Sequence, residues 1–345
     1  MTSQRLQYID ALRGIAVLMI VFGHVCMSYG SCGDYFSFRA ITGMIRLPTF
    51  FFISGFVFTS KPLSWGNRGG YFIAKKARQL LLPAIVIGGV FALVHRLPAH
   101  TMLIDVWKGG YWFMLTLFEY MVAQTIVECL TNATGAERTG RRYAVTLIAM
   151  AAVLYLLSID RVVNHDGIVN QALQLSKLRY FVYFAAGRLV RIHMQQLLQW
   201  KGRQIAVTVI IVAFIVLAIG SWGGVGIGTG SGPWFYIRIV AFEMTAVLSF
   251  FFIFYRHRAW FAADKPLPRT LSLVGQRTLE IYLMHYFLLP NDLQFLGRFF
   301  SQHHAMVIEI LIVGTITITI AALCMLVGEM IRSSPFLHHW MLGGK

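Results

Sequence analysis

The chain has 345 residues, 57% of them hydrophobic and 13% charged, with a mean hydropathy of +0.65. That excludes an ordinary water-soluble protein and leaves length for many membrane spans. The net charge of +16 would suit a nucleic-acid binder, but the placement of the cations removes the need for that reading.

In chain order, apolar runs of about 20 residues predict helices near 8–29, 41–59, 80–96, 111–130, 143–159, 178–192, 204–222, 234–255, 271–290 and 306–331. The sixth and ninth are short or interrupted by charge. The expected fold is all-α, a polytopic membrane bundle of about ten transmembrane helices. Of the thirty Lys and Arg, twenty fall before the first run and in alternate loops: Arg5, Lys61 to Arg78, Arg138 to Arg142, Arg188 to Arg203, Arg256 to Arg277, and Arg332 with Lys345. Nine lie in the other loops and helix ends, and Arg13 sits within a span. This positive-inside bias places both termini in the cytoplasm. No stretch is long enough for a separate soluble domain and no inverted repeat is visible, so 1–345 reads as a single membrane domain.

The first run carries Asp10 and Arg13 and ends without an Ala-x-Ala-like site, so it reads as a retained anchor and not a cleaved signal peptide. Arg13 and His24 are eleven residues apart, three helical turns plus about 20°, which puts them on one face about 16 Å apart along the axis. Asp10, three residues before Arg13, can neutralise it there. Polar side chains are costly in lipid, so this stripe is either a structural pair with a core histidine or a functional seam. The four cysteines have no metal-ligand or Cys-x-x-Cys spacing; Cys26 and Cys32 are read as either bridged or free. No metal site is expected.

The second span opens on Arg46, with Pro48 where a first helical turn tolerates it, and runs through aromatics to Ser54 and Gly55. That small pair admits either a neighbouring backbone or a thin ligand chain. Lys75, Lys76 and Arg78 lie at the mouth of the third span, suited either to lipid headgroups or to a phosphorylated co-substrate. The fourth span opens with Trp112 and carries Glu119 about 12 Å along its axis. Glu119 can orient the His24 imidazole, or it pairs a buried cation such as Arg238. Glycines crowd 220–233, without the Gly-Lys-Ser/Thr ending of a phosphate cradle, which reads as an outer loop. The ninth span holds Glu280, Tyr282 and His285; the latter two, three residues apart, share a face.

Taken in order these segments resemble the acyltransferase 3 family of integral membrane O-acyltransferases. The points of match are Asp10, Leu12, Arg13, Gly14 and Gly23-His24; Pro48 through Phe56; the basic segment before Pro83; Trp112-Phe113; Phe181 to Gly187; and Ile281 to His285. The opening is closest to stand-alone sugar O-acetylases of the fucose 4-O-acetylase type. Two departures bear on the choice of acceptor. Tyr286 stands where many relatives have proline, and Arg46-Leu47 precedes Pro48 where a His-Met pair is common. The soluble hydrolase-like domain that some members append is not seen.

The resemblance implies acyl transfer, commonly acetyl, from cytoplasmic acetyl-CoA to a hydroxyl of an extracytoplasmic or lipid-linked glycan, in a bacterial cytoplasmic (inner) membrane. Acetyl-CoA is then a co-substrate and no cofactor is permanently bound; the partners are the lipid bilayer and the glycan or glycolipid acceptor, with no nucleic acid. The implied roles are His24, Arg13 and Glu119 in catalysis, Lys75, Lys76, Arg78, Ser54 and Gly55 for the donor, and Trp112, Tyr282 and His285 for the acceptor. His24 is read either as general base or as a covalent acyl carrier. The rival class is a transporter of a small polar or glycan-related solute, which also needs polar residues along a path.

Overall fold

The computed structural model describes residues 6–29, 37–59, 61–98, 100–159, 167–222, 233–290, 292–303 and 305–344. Among these it is helical without strands: α1 Gln7–Ser28, α2 Ser37–Phe56, α3 Asn67–Val94, α4 Thr101–Ile104, α5 Trp112–Ala133, α6 Arg141–Leu157, α7 Ile168–Leu173, α8 Phe181–Ile192, α9 Met194–Gln199, α10 Arg203–Trp222, α11 Pro233–Arg256, α12 Arg258–Ala262, α13 Pro266–Gln276, α14 Thr278–Leu288, α15 Gln294–His303, α16 Met306–Ser333 and α17 Pro335–Leu342. Six of them, α1, α3, α5, α10, α11 and α16, are long and apolar enough to cross a bilayer. The possible bridge partner Cys32, most of the glycine segment 220–233, and the counted cations Arg5, Arg161 and Lys345 lie outside the described residues.

Three expected helices differ in extent. The third begins thirteen residues earlier than the apolar run, because Lys75, Lys76, Arg78 and Gln79 are good helix formers that extend α3 beyond its lipid-facing part. α2 begins at Ser37, so Pro48 lies inside the helix and not in its first turn. The run 271–290 is two helices broken at Arg277, whose N–H turns back to the carbonyls of Leu273 and Val274 before Thr278 starts α14.

The chain forms two compact units, Met1–Phe50 with Leu197–Leu326, and Phe51–Gln196 with Val327–Lys345. In the first, α1 packs along α13 at a glycine contact. A Cβ on Gly14 would lie 2.3 Å from the Leu271 carbonyl oxygen, and one on Gly275 would lie 1.7 Å from that of Asp10. Only glycine lets the two backbones meet so closely. Around this crossing, Tyr8 lies edge-on to Phe251 and Tyr255, and Ile45, Phe242 and Ala246 form a buried cluster with Met19 and Phe214 at its edge. Tyr29 at the C-terminal end of α1 donates a short hydrogen bond to buried Glu309 of α16.

The second unit repeats the device. A Cβ on Gly55 would lie 1.9 Å from the Phe184 carbonyl oxygen, and one on Gly187 would lie 2.0 Å from that of Phe52. Phe51, fully buried beside the crossing, packs on Phe113, Tyr120 and Tyr180. Glu128 anchors the polar core. It accepts from Arg188 at 2.6 Å, from Arg138 at 2.5 Å and from the Tyr143 hydroxyl at 2.7 Å. Arg188 also donates to the Thr59 carbonyl at 2.7 Å and Arg138 to that of Lys61 at 2.5 Å, so one carboxylate fixes α5, α6, α8 and the segment after α2. Arg188, counted from the sequence as a loop charge, is therefore a buried residue, 2% exposed.

Candidate active site

α1 runs unbroken through both Arg13 and His24, so eleven residues of regular helix separate them. Arg13 reaches Asp10 at 4.0 Å, the limit of an ion pair, with its side chain a quarter exposed. Nearby, at the end of α1 that carries the N-terminus, a cavity of about 450 Å³ is lined by Gln7, Phe261, Asp264, Arg269, Ser272 and Gln276.

His24 lies in a different environment. The Tyr286 hydroxyl and His24 Nε2 are 3.2 Å apart, and the His285 ring centre is 5.2 Å from that of His24. His285 is wholly buried. Its Nδ1 lies 3.0 Å from the Ile281 carbonyl and 2.8 Å from that of Tyr282. Carbonyls only accept, so Nδ1 carries the proton and Nε2 is the lone-pair nitrogen. That Nε2 is buried and takes no hydrogen bond among the described residues. Tyr282 packs against the same ring, 6.0 Å between centres. Arg46 reaches the group from α2. Its guanidinium occupies the space a Gly23 side chain would fill and donates weakly to the carbonyls of Met19 at 3.3 Å and Ile20 at 3.5 Å. Its charge acts on His24, His285 and Tyr286 together.

The second unit holds the remaining expected residues. Both Glu119 carboxyl oxygens are buried and take no hydrogen bond among the described residues. The cation acting on Glu119 is Lys108; Arg238, the partner considered from the sequence, is an exposed residue of the first unit. Lys108 is 5% exposed, with its ammonium on the carbonyls of Leu103 at 2.6 Å and Gln171 at 2.9 Å. Burial holds its pKa below the usual lysine value, against the opposing pull of Glu119 and Asp105. Lys177 lies over two indoles, Trp107 at 4.1 Å and Trp112 at 4.9 Å. Burial, with Arg179 beside it, lowers the Lys177 pKa to about 8.

On α3, Lys75 and Arg78 are exposed and Lys76 lies over the Phe72 ring. Arg78 also donates to the Gly344 carbonyl at 2.9 Å. Gly55 is taken up by the α8 crossing, so backbone and not open space lies against it. Among the described residues, no three His, Cys, Asp or Glu side chains are grouped as metal ligands.

A family model described as an acyltransferase domain, of the acyltransferase 3 type, matches residues 6–327. The chain belongs to the acyltransferase 3 family. No curated protein and no solved structure matches it. It is a membrane acyltransferase, and its buried groups are suited to that reaction class. An acyl transfer needs an acceptor for the attacking hydroxyl's proton and a positive donor for the carbonyl oxygen. The first unit supplies two imidazoles, a phenol and a guanidinium together. Sequence reasoning singled out His24 and His285 but tied Arg46 and Tyr286 only to the choice of acceptor, not to the reaction. The available signal was an arginine within an apolar run, and a glycine immediately before His24 that leaves room for it. Lys108 and Lys177 were likewise counted only as loop charges.

Proposed function

We propose that this acyltransferase moves an acetyl group from cytoplasmic acetyl-CoA to a hydroxyl of an extracytoplasmic or lipid-linked glycan. The observation that carries this reading is the group formed by half-buried His24, Tyr286 and Arg46 with wholly buried His285, gathered around the helix that also bears Arg13. The charge bias supports a bundle of about ten spans with both termini cytoplasmic, in a bacterial inner membrane.

The catalytic set is His24, Arg13 and Glu119. Neutral His24 takes the proton of the attacking sugar hydroxyl, and Arg13, three turns nearer the cytoplasm, acts on the donor's arm. Lys75, Lys76 and Arg78 attract the CoA phosphates, as clustered cations do, and Ser54 serves the same donor, held in place by the α8 backbone packed on Gly55. Trp112, Tyr282 and His285 meet the acceptor, for which a buried indole and phenol offer apolar faces with polar edges.

The test is His24→Ala, with membrane level followed by immunoblot and surface glycans read by mass spectrometry. Loss of one acetyl unit from a glycan, at unchanged protein level, supports the reading. An unchanged glycan profile, or solute flux with no acetyl-CoA consumed, overturns it.

A further inference from the structure

Arg46 stands on α2 inside an apolar run, yet the groups its guanidinium meets lie on α1. A Cβ on Gly23 would lie 1.5 Å from Arg46 Nη1, 2.6 Å from Cζ and 3.1 Å from Nη2. The guanidinium thus occupies residue 23's side-chain position. From that position its charge acts on the His24 imidazole and on His285 and Tyr286 with it. Weak bonds from Nη1 to the Met19 and Ile20 carbonyls hold the group against α1.

We propose that Arg46 is the guanidinium that stabilises the oxyanion formed beside His24. The inference rests on the acyl-transfer reading and adds to it a catalytic residue. The acceptor hydroxyl oxygen bonds to the thioester carbonyl carbon while its proton passes to His24. The carbonyl electron pair moves onto oxygen, and Arg46 donates to that oxygen. As the carbonyl re-forms, the carbon–sulfur bond breaks and the CoA thiolate leaves, taking the proton back from His24. Arg13 does not fill this position: an oxyanion donor lies about 3 Å from its oxygen, whereas Arg13 sits about 16 Å along the axis from His24.

The slot also explains why a glycine precedes His24. With an arginine placed there from a neighbouring helix, any side chain at residue 23 would have to displace the guanidinium. The group brings a full charge into an apolar span, where only a partner or a function offsets the cost.

The experiment uses membranes carrying the full chain, radiolabelled acetyl-CoA, and host envelope glycan as acceptor. Arg46→Met is expected to lower kcat about 100-fold, the effect typical of losing one oxyanion donor, with KM for acetyl-CoA within threefold. Arg46→Ala is expected to regain part of its turnover when millimolar guanidinium is added, and Arg46→Met, whose side chain fills the slot, is not. Gly23→Ala displaces the guanidinium while keeping its charge; it lowers kcat alone and adds nothing in combination with Arg46→Ala, which leaves the slot empty. Arg46→Met with kcat within threefold of wild type overturns the inference, as does a loss confined to KM or to protein level, or Arg46→Ala indifferent to guanidinium. Wild-type membranes that transfer no label to any glycan overturn the acyl-transfer reading itself.

Discussion

Replacing Gly275 by alanine tests the crossing that brings α13, and α14 after it, against α1. The new Cβ would sit 1.7 Å from the Asp10 carbonyl oxygen, where an ordinary contact begins at 3.4 Å. Both groups are backbone-borne, so neither can rotate away. Relief requires the helices to separate by about 1.7 Å at the crossing, and overpacking of this kind costs about 1–3 kcal/mol. The separation is transmitted, because Gly275 lies two residues before the break at Arg277 and ten before His285. A shift of about 1 Å in reacting groups can cost about 100-fold in rate, and the 3.2 Å contact between His24 and Tyr286 is lost well before that displacement is complete. The expected result is a lower thermal midpoint of the detergent-solubilised protein together with about 100-fold less glycan acylation. Gly89→Ala is the control, since a Cβ there meets nothing within 4 Å. If Gly275→Ala matches Gly89→Ala in both midpoint and activity, the reasoning from backbone contact to active site is refuted.

Tyr286→Phe removes the hydroxyl beside His24 and is expected to lower turnover about tenfold at unchanged membrane level, a general acid–base partner being worth at least that much; an unchanged rate makes the contact incidental. Glu128→Gln leaves Arg188 and Arg138 facing a neutral group and is expected to destabilise the protein by about 3–5 kcal/mol, read as a lower midpoint. The paired change Glu128→Leu with Arg188→Met should cost less than Glu128→Gln alone. Lys177, with its pKa near 8, should react with an amine acylating reagent with a midpoint near pH 8, which mass spectrometry of the labelled peptide can follow. Because the folded protein binds fewer protons than the unfolded chain between about 8 and 10.5, this residue makes stability rise with pH across that window; its replacement by Met should flatten the rise.

Hydropathy made the helical class legible, since runs such as Ala11 to Val25 and Met306 to Val327 have no alternative to helix in lipid. Its limit appears at helix ends. The polar residues from Asn67 to Gln79 continue α3 because helix formation there needs propensity and not apolarity. The break at Arg277 showed in the sequence only as a charged interruption of the ninth run, which does not by itself end a helix, since Arg277 and Glu280 form their own pair at 3.3 Å. In the site, spacing along one helix placed Arg13 and His24 correctly on α1, a matter of local geometry. The partners of His24 come from α2 and α14, and no period within a single helix reports which distant residue faces which.

The motif glycines show what the sequence pattern was recording. Gly14 follows Arg13, Gly23 precedes His24, Gly55 follows Ser54, and Gly187 precedes Arg188. In each case the glycine accepts a close neighbour: the backbone of Leu271, the guanidinium of Arg46, the backbone of Phe184 and that of Phe52. Lipid offers helices no hydrophobic incentive to associate, so close packing at small residues locates a crossing. A polar side chain one residue from such a crossing has its backbone fixed there and can vary only in rotamer, which is the restraint a reacting imidazole or a buried ion pair requires. On this argument Gly14, Gly55 and Gly187 act through the neighbours they position. Gly23 differs, because the space it leaves holds a charged group and not a backbone, and that distinction is why substitution there should act on the chemical step before it acts on stability.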